Sequence, residues 1–365
     1  MYDSEAMTGS SEVEGVLQEA VEGKRLDLEE TISLLSVRDP STLEDLFCAA
    51  REVKEKNFGS SVFCYGFVYF STHCRNDCSF CYYKRSNTDI ARYRKTDEEI
   101  VALSSDLEDS GVHLVDLTMG EDPVIHRENG YHRLVEVVQK VNDSVDVPLM
   151  VSPGVMPQGS FRDLEQAGAD WFACYQETHN RGLFRRLRPH QDYDERFSQK
   201  KWAMGSGMLA EEGIMIGVGE SIEDRAWSIQ TMRDLGVHQV RAMTYIPQQC
   251  GRTYGSTSTM LDELVTLAVM RLVHPDRLIP ASLDIEGLNG LRPRLEAGAN
   301  VITSIIPPNK GLAGVAQHEL DIECGGRTVD QVSEVLDELG VRMAHSCAYK
   351  DLIEDWKRSI AVGGG

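Results

Sequence analysis

Eight apolar runs of strand length, each followed by a stretch of helical period, occupy most of the chain. The runs cover 61–70, 112–119, 147–153, 169–177, 213–219, 238–245, 278–285 and 299–306. Helical stretches, for example 97–111, 221–236 and 261–274, fill the gaps between them. Such regular alternation predicts an α/β fold whose parallel strands close into a (βα)8 barrel of the TIM type. A doubly wound open sheet is the alternative.

The residues before the first run show helical spacing only, which predicts a short helical extension. Ser41 or Thr42 is the predicted start of its last helix. The first residues of the chain are polar and acidic and are expected to be disordered. The predicted division is a disordered tail at 1–12, a helical extension at 13–57, the barrel at 58–345 and a C-terminal tail at 346–365.

Three charged residues interrupt the apolar runs. Asp116, Arg241 and Asp284 lie within otherwise apolar strands, where an isolated charge is costly. The active site of such a barrel lies at the C-terminal ends of its strands, so these three side chains can lie close together at that end of the barrel. One interpretation is an internal ion-pair network that fills the barrel. The other is a pocket for a zwitterion, because arginine pairs with carboxylate through two hydrogen bonds and aspartate binds ammonium.

Composition narrows the range of partners. The chain has 365 residues, with 37 Lys and Arg against 58 Asp and Glu, and a net charge of −21. A surface this acidic disfavours nucleic acid and anionic membranes. Salt adaptation and simple solubility both stay open as its reason. The N-terminus is not basic and then apolar, and no apolar run of about 18 residues follows, so neither a secretory signal nor a membrane span is predicted.

Nine cysteines in a chain without a predicted secretory signal indicate a reducing cytoplasm. Six of them are scattered singly, and we expect small buried apolar side chains at these positions. They are Cys48, Cys64, Cys174, Cys250, Cys324 and Cys347.

The other three cysteines, Cys74, Cys78 and Cys81, stand together with the spacing C-x3-C-x2-C. Thiolates are the preferred ligands of iron–sulfur clusters, and a 4Fe-4S cluster held by only three of them keeps one iron open. A structural zinc site closes with four ligands, but no second cysteine pair follows and His73 is poorly placed as a fourth ligand. An open cluster is the preferred interpretation, with zinc or three ordinary thiols as alternatives.

This spacing, with Phe80 just before the third cysteine, resembles the signature of the radical S-adenosylmethionine (SAM) enzymes. The resemblance implies a 4Fe-4S cluster on the three cysteines and SAM as the cofactors. In that family SAM binds the open iron, and one electron from the cluster cleaves it to a 5'-deoxyadenosyl radical that abstracts hydrogen. We therefore expect a low-potential electron donor, whose identity the sequence does not indicate.

Further segments resemble the cofactor-binding parts of biotin synthase and of the related hydrogenase-cluster maturase. T-M-G-E-D-P (118–123) is similar to the turn that receives the methionine amino group, and 213–221 to the strip beside the adenine. For Arg196 the alternative to a cofactor-binding role is an arginine on a surface helix. For Gly217 it is a simple tight turn. Biotin synthase needs further barrel cysteines for a second cluster, and strands two, three and five carry none. The SAM-binding positions implied are Gly120, Glu121, Ser152, Tyr175, Glu177, Arg196 and Gly217.

From about residue 45 to about residue 345 the chain resembles the methylornithine synthase family. The segments that carry this resemblance are 67–83, 92–100, 113–123, 173–178, 240–248, 277–287 and 295–308. It implies a mutase that converts L-lysine to (3R)-3-methyl-D-ornithine, the first step of pyrrolysine biosynthesis. Arg241 would hold the lysine carboxylate, while Asp116, Ser282 and Asp284 would hold amino groups, with Thr303 and Ser304 nearby. We expect a cytoplasmic, monomeric enzyme.

Two other functions are considered. A biotin-synthase-like or hydrogenase-maturase-like enzyme would act on another small molecule and would not need Arg241, Ser282 and Asp284 as a set. A regulatory protein using a closed cluster or zinc as a sensor should show a fourth ligand and no cofactor strip, and this chain shows the reverse.

Overall fold

The computed structural model describes residues 13–127, 131–247, 259–308, 310–315 and 327–363. The tail predicted to be disordered, 1–12, lies outside these ranges, as do Cys250 and Cys324. No helix within the described ranges is both long and apolar enough to cross a membrane.

Three helices precede the barrel, in the segment that was predicted to be helical. They are α1 (13–21), α2 (Leu28–Leu35) and α3 (Pro40–Phe58). The prediction that the last helix starts at Ser41 or Thr42 is wrong, because Asp39 is its N-cap and accepts a hydrogen bond from the backbone N–H of Thr42. Pro40 occupies the first turn, where its missing N–H costs nothing and its fixed φ suits the helix.

Eight parallel strands form the barrel that the alternation predicts. They are β1 (Ser61–Ser71), β2 (Leu114–Met119), β3 (Leu149–Ser152), β4 (Ala169–Ala173), β5 (Leu209–Ile216), β6 (Gln239–Thr244), β7 (Pro280–Ser282) and β8 (Val301–Ile305). Hydrogen-bonded neighbours run in the order β6-β5-β4-β3-β2-β1-β8-β7. A parallel bridge between Gln239 and Leu278 joins the two ends of this order. The barrel is therefore nearly closed, and the open-sheet alternative is wrong.

Helices alternate with the strands. They are α4 (Asp97–Asp109), α5 (His132–Asn142), α6 (Ser160–Gln166), α7 (Arg181–Leu187), α8 (Tyr193–Gly205), α9 (Ile222–Leu235), α10 (Met260–Val273), α11 (Leu291–Glu296) and α12 (Val329–Leu339). Side-chain caps fix several of their starts. At α4, Thr96 accepts from the backbone N–H of Glu99 while Glu99 accepts from that of Thr96, a reciprocal capping box.

Strand β5 starts at Leu209 rather than at the predicted residue 213. Glu211 and Glu212 give this stretch the polarity of a loop, yet both are fully buried. Glu211 pairs with Arg241, and Glu212 pairs with Lys200, each at 2.7 Å. Buried carboxylates are tolerated within a strand when each has such a partner.

The N-terminal side of the barrel is covered by the last part of the chain. A short strand, β9 (Arg342–Met343), pairs with the start of β1, and helix α13 (Ser346–Gly363) follows it. The hydroxyl groups of Tyr349 and Tyr65 are 2.6 Å apart in the buried interior. Trp356 packs edge-on against Trp171, with ring centroids 6.1 Å apart.

The isolated cysteines divide into two groups. Cys64 and Cys174 are buried, as predicted, whereas Cys48 and Cys347 are exposed, and for these two the prediction is wrong. Both exposed cysteines contact polar neighbours, since Cys48 lies 2.9 Å from an Arg51 nitrogen and Cys347 lies 3.2 Å from Nδ1 of His345.

Candidate active site

A cavity of about 240 Å³ opens at the C-terminal ends of the strands. Most of the residues that the sequence predicts for the site line this cavity. A barrel enzyme is expected to have its active site at this end of the strands. Those on its wall are Cys74, Cys78, Cys81, Asp116, Gly120, Glu121, Ser152, Tyr175, Glu177, Arg196, Arg241, Ser282 and Asp284. Gly217, Thr303 and Ser304 lie outside the wall.

The cysteine loop leaves β1 and is held from two sides. The backbone N–H of Ser79 donates to the carbonyl of Leu187, at the end of α7, at 2.8 Å. On the other side the backbone N–H of Arg75 donates to the carbonyl of Glu121 at 2.9 Å. These contacts bring the three cysteines to one wall of the cavity.

The environment of the thiols suits a metal cluster. Burial raises the pKa of the Cys74 thiol to about 11, and burial with the adjacent Cys78 raises the pKa of Cys81 as well. The thiolates that bind iron are therefore costly here unless metal supplies the opposing charge. Among the described residues, no three His, Cys, Asp or Glu side chains could hold a single metal ion. Three cysteines on one wall of the cavity fit a 4Fe-4S cluster, in which each thiolate binds a different iron.

Two glycines allow the loops of the site to approach each other. A Cβ on Gly120 would lie 2.4 Å from the carbonyl oxygen of His73, so only glycine fits beneath the cysteine loop. A Cβ on Gly154 would lie 2.2 Å from Cγ of Glu121, and the φ of Gly154 is +85°. Glycine adopts this conformation without strain, and the close approach places Glu121 against the loop after β3.

Glu121 lies between two arginines. Its carboxylate accepts from Nε of Arg75 at 2.9 Å and from Nη1 of Arg196 at 3.4 Å. Burial opposes its ionisation, but Arg196 and Arg75 outweigh burial and lower its pKa. Arg196 is not a surface arginine, because it is 5% exposed and its Nε donates to the carbonyl of Tyr175 at 2.6 Å. That alternative is therefore wrong.

Glu177 presents a carboxylate oxygen to the interior of the site. Its backbone adopts a left-handed φ of 66°, and Arg188 donates to one carboxylate oxygen at 2.6 Å. The other oxygen is buried and has no hydrogen-bond partner among the described residues. Burial raises the pKa of Glu177 in spite of Arg188 and Arg196. A hydroxyl-bearing ligand that donated to this free oxygen would satisfy it.

Arg241 is fixed so that one nitrogen remains available. Its Nε donates to Glu211 at 2.7 Å and its Nη1 donates to Thr303 at 3.1 Å. Its Nη2 is buried without a hydrogen-bond partner in the described part of the chain. The guanidinium also lies over the ring of Tyr175, 5.7 Å from the centroid. Glu211 accepts from the Tyr175 hydroxyl at 2.7 Å, which fixes the ring and the guanidinium together.

The two aspartates on the cavity wall have different surroundings. Asp116 accepts from the Ser152 hydroxyl at 2.8 Å, and burial raises its pKa to about 7. Asp284 instead forms an ion pair with Arg327 at 3.0 Å. It also accepts from the hydroxyls of Ser282 and Ser304, at 3.0 and 2.9 Å. Ser304 reaches it from a left-handed backbone with a φ of 69°.

The ion-pair interpretation of the buried charges is confirmed in part, and the zwitterion pocket stays a prediction. Arg241 and Asp284 do belong to ion pairs, but their partners are Glu211 and Arg327 rather than each other. Both remain on the cavity wall, together with Asp116. The wall thus combines a guanidinium with a free nitrogen and two carboxylates, which matches an amino acid that carries more than one ammonium group.

Gly217 forms a turn with a φ of 86°. Its backbone N–H donates to the Glu220 carboxylate at 2.9 Å, and Val218 donates to the same group at 2.9 Å. Arg225 in turn donates to Glu220 at 2.7 Å. The turn after β5 is therefore held by a carboxylate of its own chain.

Sequence reasoning missed three residues of the site. Glu211 holds Arg241, Arg188 contacts both Glu177 and Cys78, and Arg327 holds Asp284. The signal for Glu211 was present, since two glutamates stand within the apolar stretch MLAEEGIMIG. Arg188 and Arg327 lie in segments without strand character, so their burial has no comparable signal.

Comparison with known proteins places the chain in a family. The profile of the Radical SAM superfamily matches residues 68–246. The chain is 40% identical to 3-methylornithine synthase of Methanosarcina barkeri over 94% of its length and 97% of the relative's. The crystal structure of a methylornithine synthase superposes with a TM-score of 0.86 at 40% identity, covering 92% of this chain and 99% of the other. The chain belongs to the methylornithine synthase family of radical SAM enzymes.

Membership of this superfamily identifies a 4Fe-4S cluster and SAM as the cofactors, and the cysteine loop fits the cluster as described above. A more distant relative, the [FeFe] hydrogenase maturase subunit HydE of Thermotoga maritima, is 29% identical over 78% of this chain and 81% of its own. The maturase HydG has a TM-score of 0.83 at 21% identity, covering 96% of this chain and 80% of the other, and shares the fold alone. Within the superfamily, the methylornithine synthase family is thus the more similar one.

Proposed function

We propose that this enzyme converts L-lysine to (3R)-3-methyl-D-ornithine, the first step of pyrrolysine biosynthesis. The proposal depends mainly on one observation. Arg241 lines the same cavity as Asp116 and Asp284, and its Nη2 has no hydrogen-bond partner among the described residues. Lysine carries one carboxylate and two ammonium groups, and these three side chains complement it in charge. Family membership supports the same reaction.

For the substrate, we assign the carboxylate to Arg241 and the two amino groups to Asp116 and to Asp284 with Ser282. Thr303 and Ser304 lie behind the wall, and we assign them supporting roles. Thr303 accepts from Arg241, and Ser304 donates to Asp284. Each would keep a charged side chain aimed at lysine rather than touch the substrate.

For the cofactors, we assign the cluster to Cys74, Cys78 and Cys81. When bound, the cluster and SAM together supply the radical that removes a hydrogen atom from lysine. The residues that we assign to SAM are Gly120, Glu121, Ser152, Tyr175, Glu177, Arg196 and Gly217. The free carboxylate oxygen of Glu177 and the guanidinium of Arg196 suit a hydroxyl and a carboxylate, respectively.

The reaction rearranges a carbon skeleton, so its fragments must stay together after the Cα–Cβ bond breaks. Arg241, Asp116 and Asp284 would bind the charged ends of lysine and so keep both fragments in position. Phe67, Met215 and Ala242 also line the cavity, and their apolar side chains would help to exclude water from the reacting fragments.

We further propose a cytoplasmic monomer that takes its electron from a low-potential donor and binds neither nucleic acid nor membrane. The net charge of −21 supports the last two points. The catalytic unit would be the barrel at 58–345, preceded by the extension at 13–57.

The test is an anaerobic incubation of the reconstituted enzyme with SAM, a chemical reductant and 13C-labelled lysine, followed by mass and NMR analysis of the amino acids. A branched product of unchanged mass with a new methyl group is expected. Deoxyadenosine without any change in lysine would remove the substrate assignment and keep the radical chemistry.

Cys78→Ala should abolish SAM cleavage while the circular dichroism spectrum stays that of the parent, because one of three iron ligands is lost. Cys347→Ala, which removes an exposed thiol, is the matched control and should retain full turnover. Undiminished cleavage by the Cys78 variant would exclude the cysteine loop from the mechanism.

A further inference from the structure

One of the three cysteine sulfurs has polar surroundings unlike the other two. Nη1 of Arg188 donates to Sγ of Cys78 at 3.3 Å, and Nε2 of Gln191 donates to the same sulfur at 3.0 Å. In the described part of the chain, no side chain donates to Sγ of Cys74 or Cys81. The nearest comparable contact is the backbone N–H of Asn76, 3.5 Å from Sγ of Cys74.

Arg188 is held in this position from several directions. It is 6% exposed, and its Nη2 donates to Glu177 at 2.6 Å and to the carbonyl of Tyr175 at 3.3 Å. Its guanidinium also lies 5.0 Å from the ring centroid of Phe80, inside the cysteine loop. A buried cation is tolerated because the Glu177 carboxylate opposes it. The contact with Cys78 is therefore built into the site and is not a chance surface contact.

We propose that Arg188 and Gln191 set the reduction potential of the cluster through Cys78, with Arg188 as the dominant positioning residue. This inference rests on the proposed function, since it requires that the loop hold a 4Fe-4S cluster. It assigns to both residues a role outside the binding of SAM or lysine.

The physical reason is electrostatic. Reduction adds a negative charge to the cluster, and this charge spreads onto the sulfur ligands. Hydrogen bonds to those sulfurs and a nearby positive charge stabilise the reduced form, which raises the potential. Arg188 supplies both effects at Cys78, and Gln191 supplies a neutral hydrogen bond only. Burial strengthens each contribution because solvent screening is weak there.

The experiment is a redox titration of the reconstituted cluster, followed by electron paramagnetic resonance, in the full-length parent and three variants. Arg188→Gln removes the charge, and its midpoint potential should become more negative than that of the parent. Gln191→Met removes a neutral donor, and a smaller shift in the same direction is expected. Arg185→Gln makes the same charge change at an exposed position of α7, the helix that ends directly before Arg188, and should leave the potential unchanged.

A parent-like potential in Arg188→Gln overturns the inference. If that variant does not retain a cluster, Gln191→Met decides, and a parent-like potential there overturns the inference in the same way. An equal shift in Arg185→Gln would show that net charge alone acts, and would also overturn it. A parent enzyme that binds no 4Fe-4S cluster would instead remove the proposed function itself.

Discussion

At the scale of single residues, Arg241 shows how a buried charge can be prepared for a ligand. Glu211 and Thr303 occupy two of its three nitrogens and leave Nη2 free. A guanidinium held in this way loses little conformational entropy when it binds a carboxylate. Arg241→Lys keeps the charge but replaces the planar guanidinium by a single ammonium group. That group cannot donate to Glu211, Thr303 and a ligand at the same time.

We therefore expect Arg241→Lys to weaken lysine binding by at least about tenfold, since hydrogen bonds between charged groups contribute roughly 1.5–3 kcal/mol. SAM binding should stay near that of the parent, and calorimetry on the unreduced enzyme measures both affinities. Arg277→Lys, outside the cavity wall, is the control for the substitution itself. Equal loss of lysine and SAM affinity would contradict the assignment of Arg241 to the substrate.

Asp116 leads to a prediction about pH. Its pKa is raised to about 7, first by burial and then by Glu211, while Ser152 and Arg241 act in the opposite direction. Near neutrality the carboxyl is therefore partly protonated, and an ammonium group binds the ionised form better. Lysine affinity should rise with pH between about pH 6 and pH 8, where Asp116 loses its proton.

The measurement is lysine affinity across this range, for the parent and for Asp116→Asn. Asparagine cannot ionise, so the variant should bind lysine weakly with a flat pH profile. A profile in the variant as steep as that in the parent would assign the pH dependence to another group.

The residues of the site differ in how well the sequence reveals them. Asp116, Arg241 and Asp284 could be predicted because each is a charge within an apolar run, which burial makes costly. The pairing of Arg241 with Glu211 and of Asp284 with Arg327 could not be predicted, because it depends on which segments meet in the folded barrel. The free nitrogen of Arg241 likewise follows from a count of its contacts in three dimensions.

At the scale of secondary structure elements, the contact between the cysteine loop and the end of β2 depends on one glycine. A Cβ on Gly120 would lie 2.4 Å from a backbone oxygen of the cysteine loop and 3.1 Å from Cβ of Cys74. Backbone atoms cannot move aside as a flexible side chain can. Any substitution at Gly120 should therefore displace the loop that carries the three cysteines.

Gly120→Ala should accordingly lower the iron and sulfide content of the reconstituted enzyme severalfold while the helical circular dichroism remains. Gly205→Ala is the matched control, because a Cβ there meets no atom within 4 Å. It should take up a full cluster. A full cluster in Gly120→Ala as well would mean that the loop adapts at little cost.

The elements were predictable in kind and less so in their bounds. Alternation found all eight strands, yet β5 starts earlier than predicted because Glu211 and Glu212 resemble loop residues in sequence. Strand β7 is the opposite case, since the apolar run 278–285 yields only Pro280–Ser282. Beyond β7, the backbone N–H of Leu283 still donates to Thr303 of β8, whereas that of Asp284, which lines the cavity, donates to the hydroxyl of Ser282.

At the scale of the whole molecule, the alternation along the chain predicts the order of the strands and a closed barrel, but it does not predict how the last gap of the barrel is bridged. Neighbours in sequence pair in parallel from β1 to β6, as crossover connections require. The remaining gap between β6 and β7 is bridged only at Gln239 and Leu278. No apolar pattern marks such an isolated bridge. The segment at 346–365 was predicted only as a C-terminal tail, whereas its residues 346–363 form helix α13.

Helix α13 should contribute strongly to stability, because it packs on the barrel on the side away from the cavity. Tyr349 is fully buried and bonds to Tyr65, Trp356 packs on Trp171, and Lys357 pairs with Asp170. Removing 346–365 would expose these aromatic rings to water. Within the helix, Tyr349→Phe leaves the Tyr65 hydroxyl without its partner, which costs roughly 1–3 kcal/mol.

We therefore expect truncation before Ser346 to lower the thermal midpoint and the urea midpoint markedly, and Tyr349→Phe to lower both slightly. Truncation after Ile360 keeps Tyr349, Trp356, Lys357 and Ile360, which pack on or pair with the barrel, and should leave both midpoints close to those of the parent. SAM cleavage at low temperature should survive in every folded variant, because no residue of α13 lines the cavity. If the long truncation left the midpoints unchanged, the buried contacts of Tyr349 and Trp356 would add nothing to the barrel, and its stability would reside in the strands and their crossover helices alone.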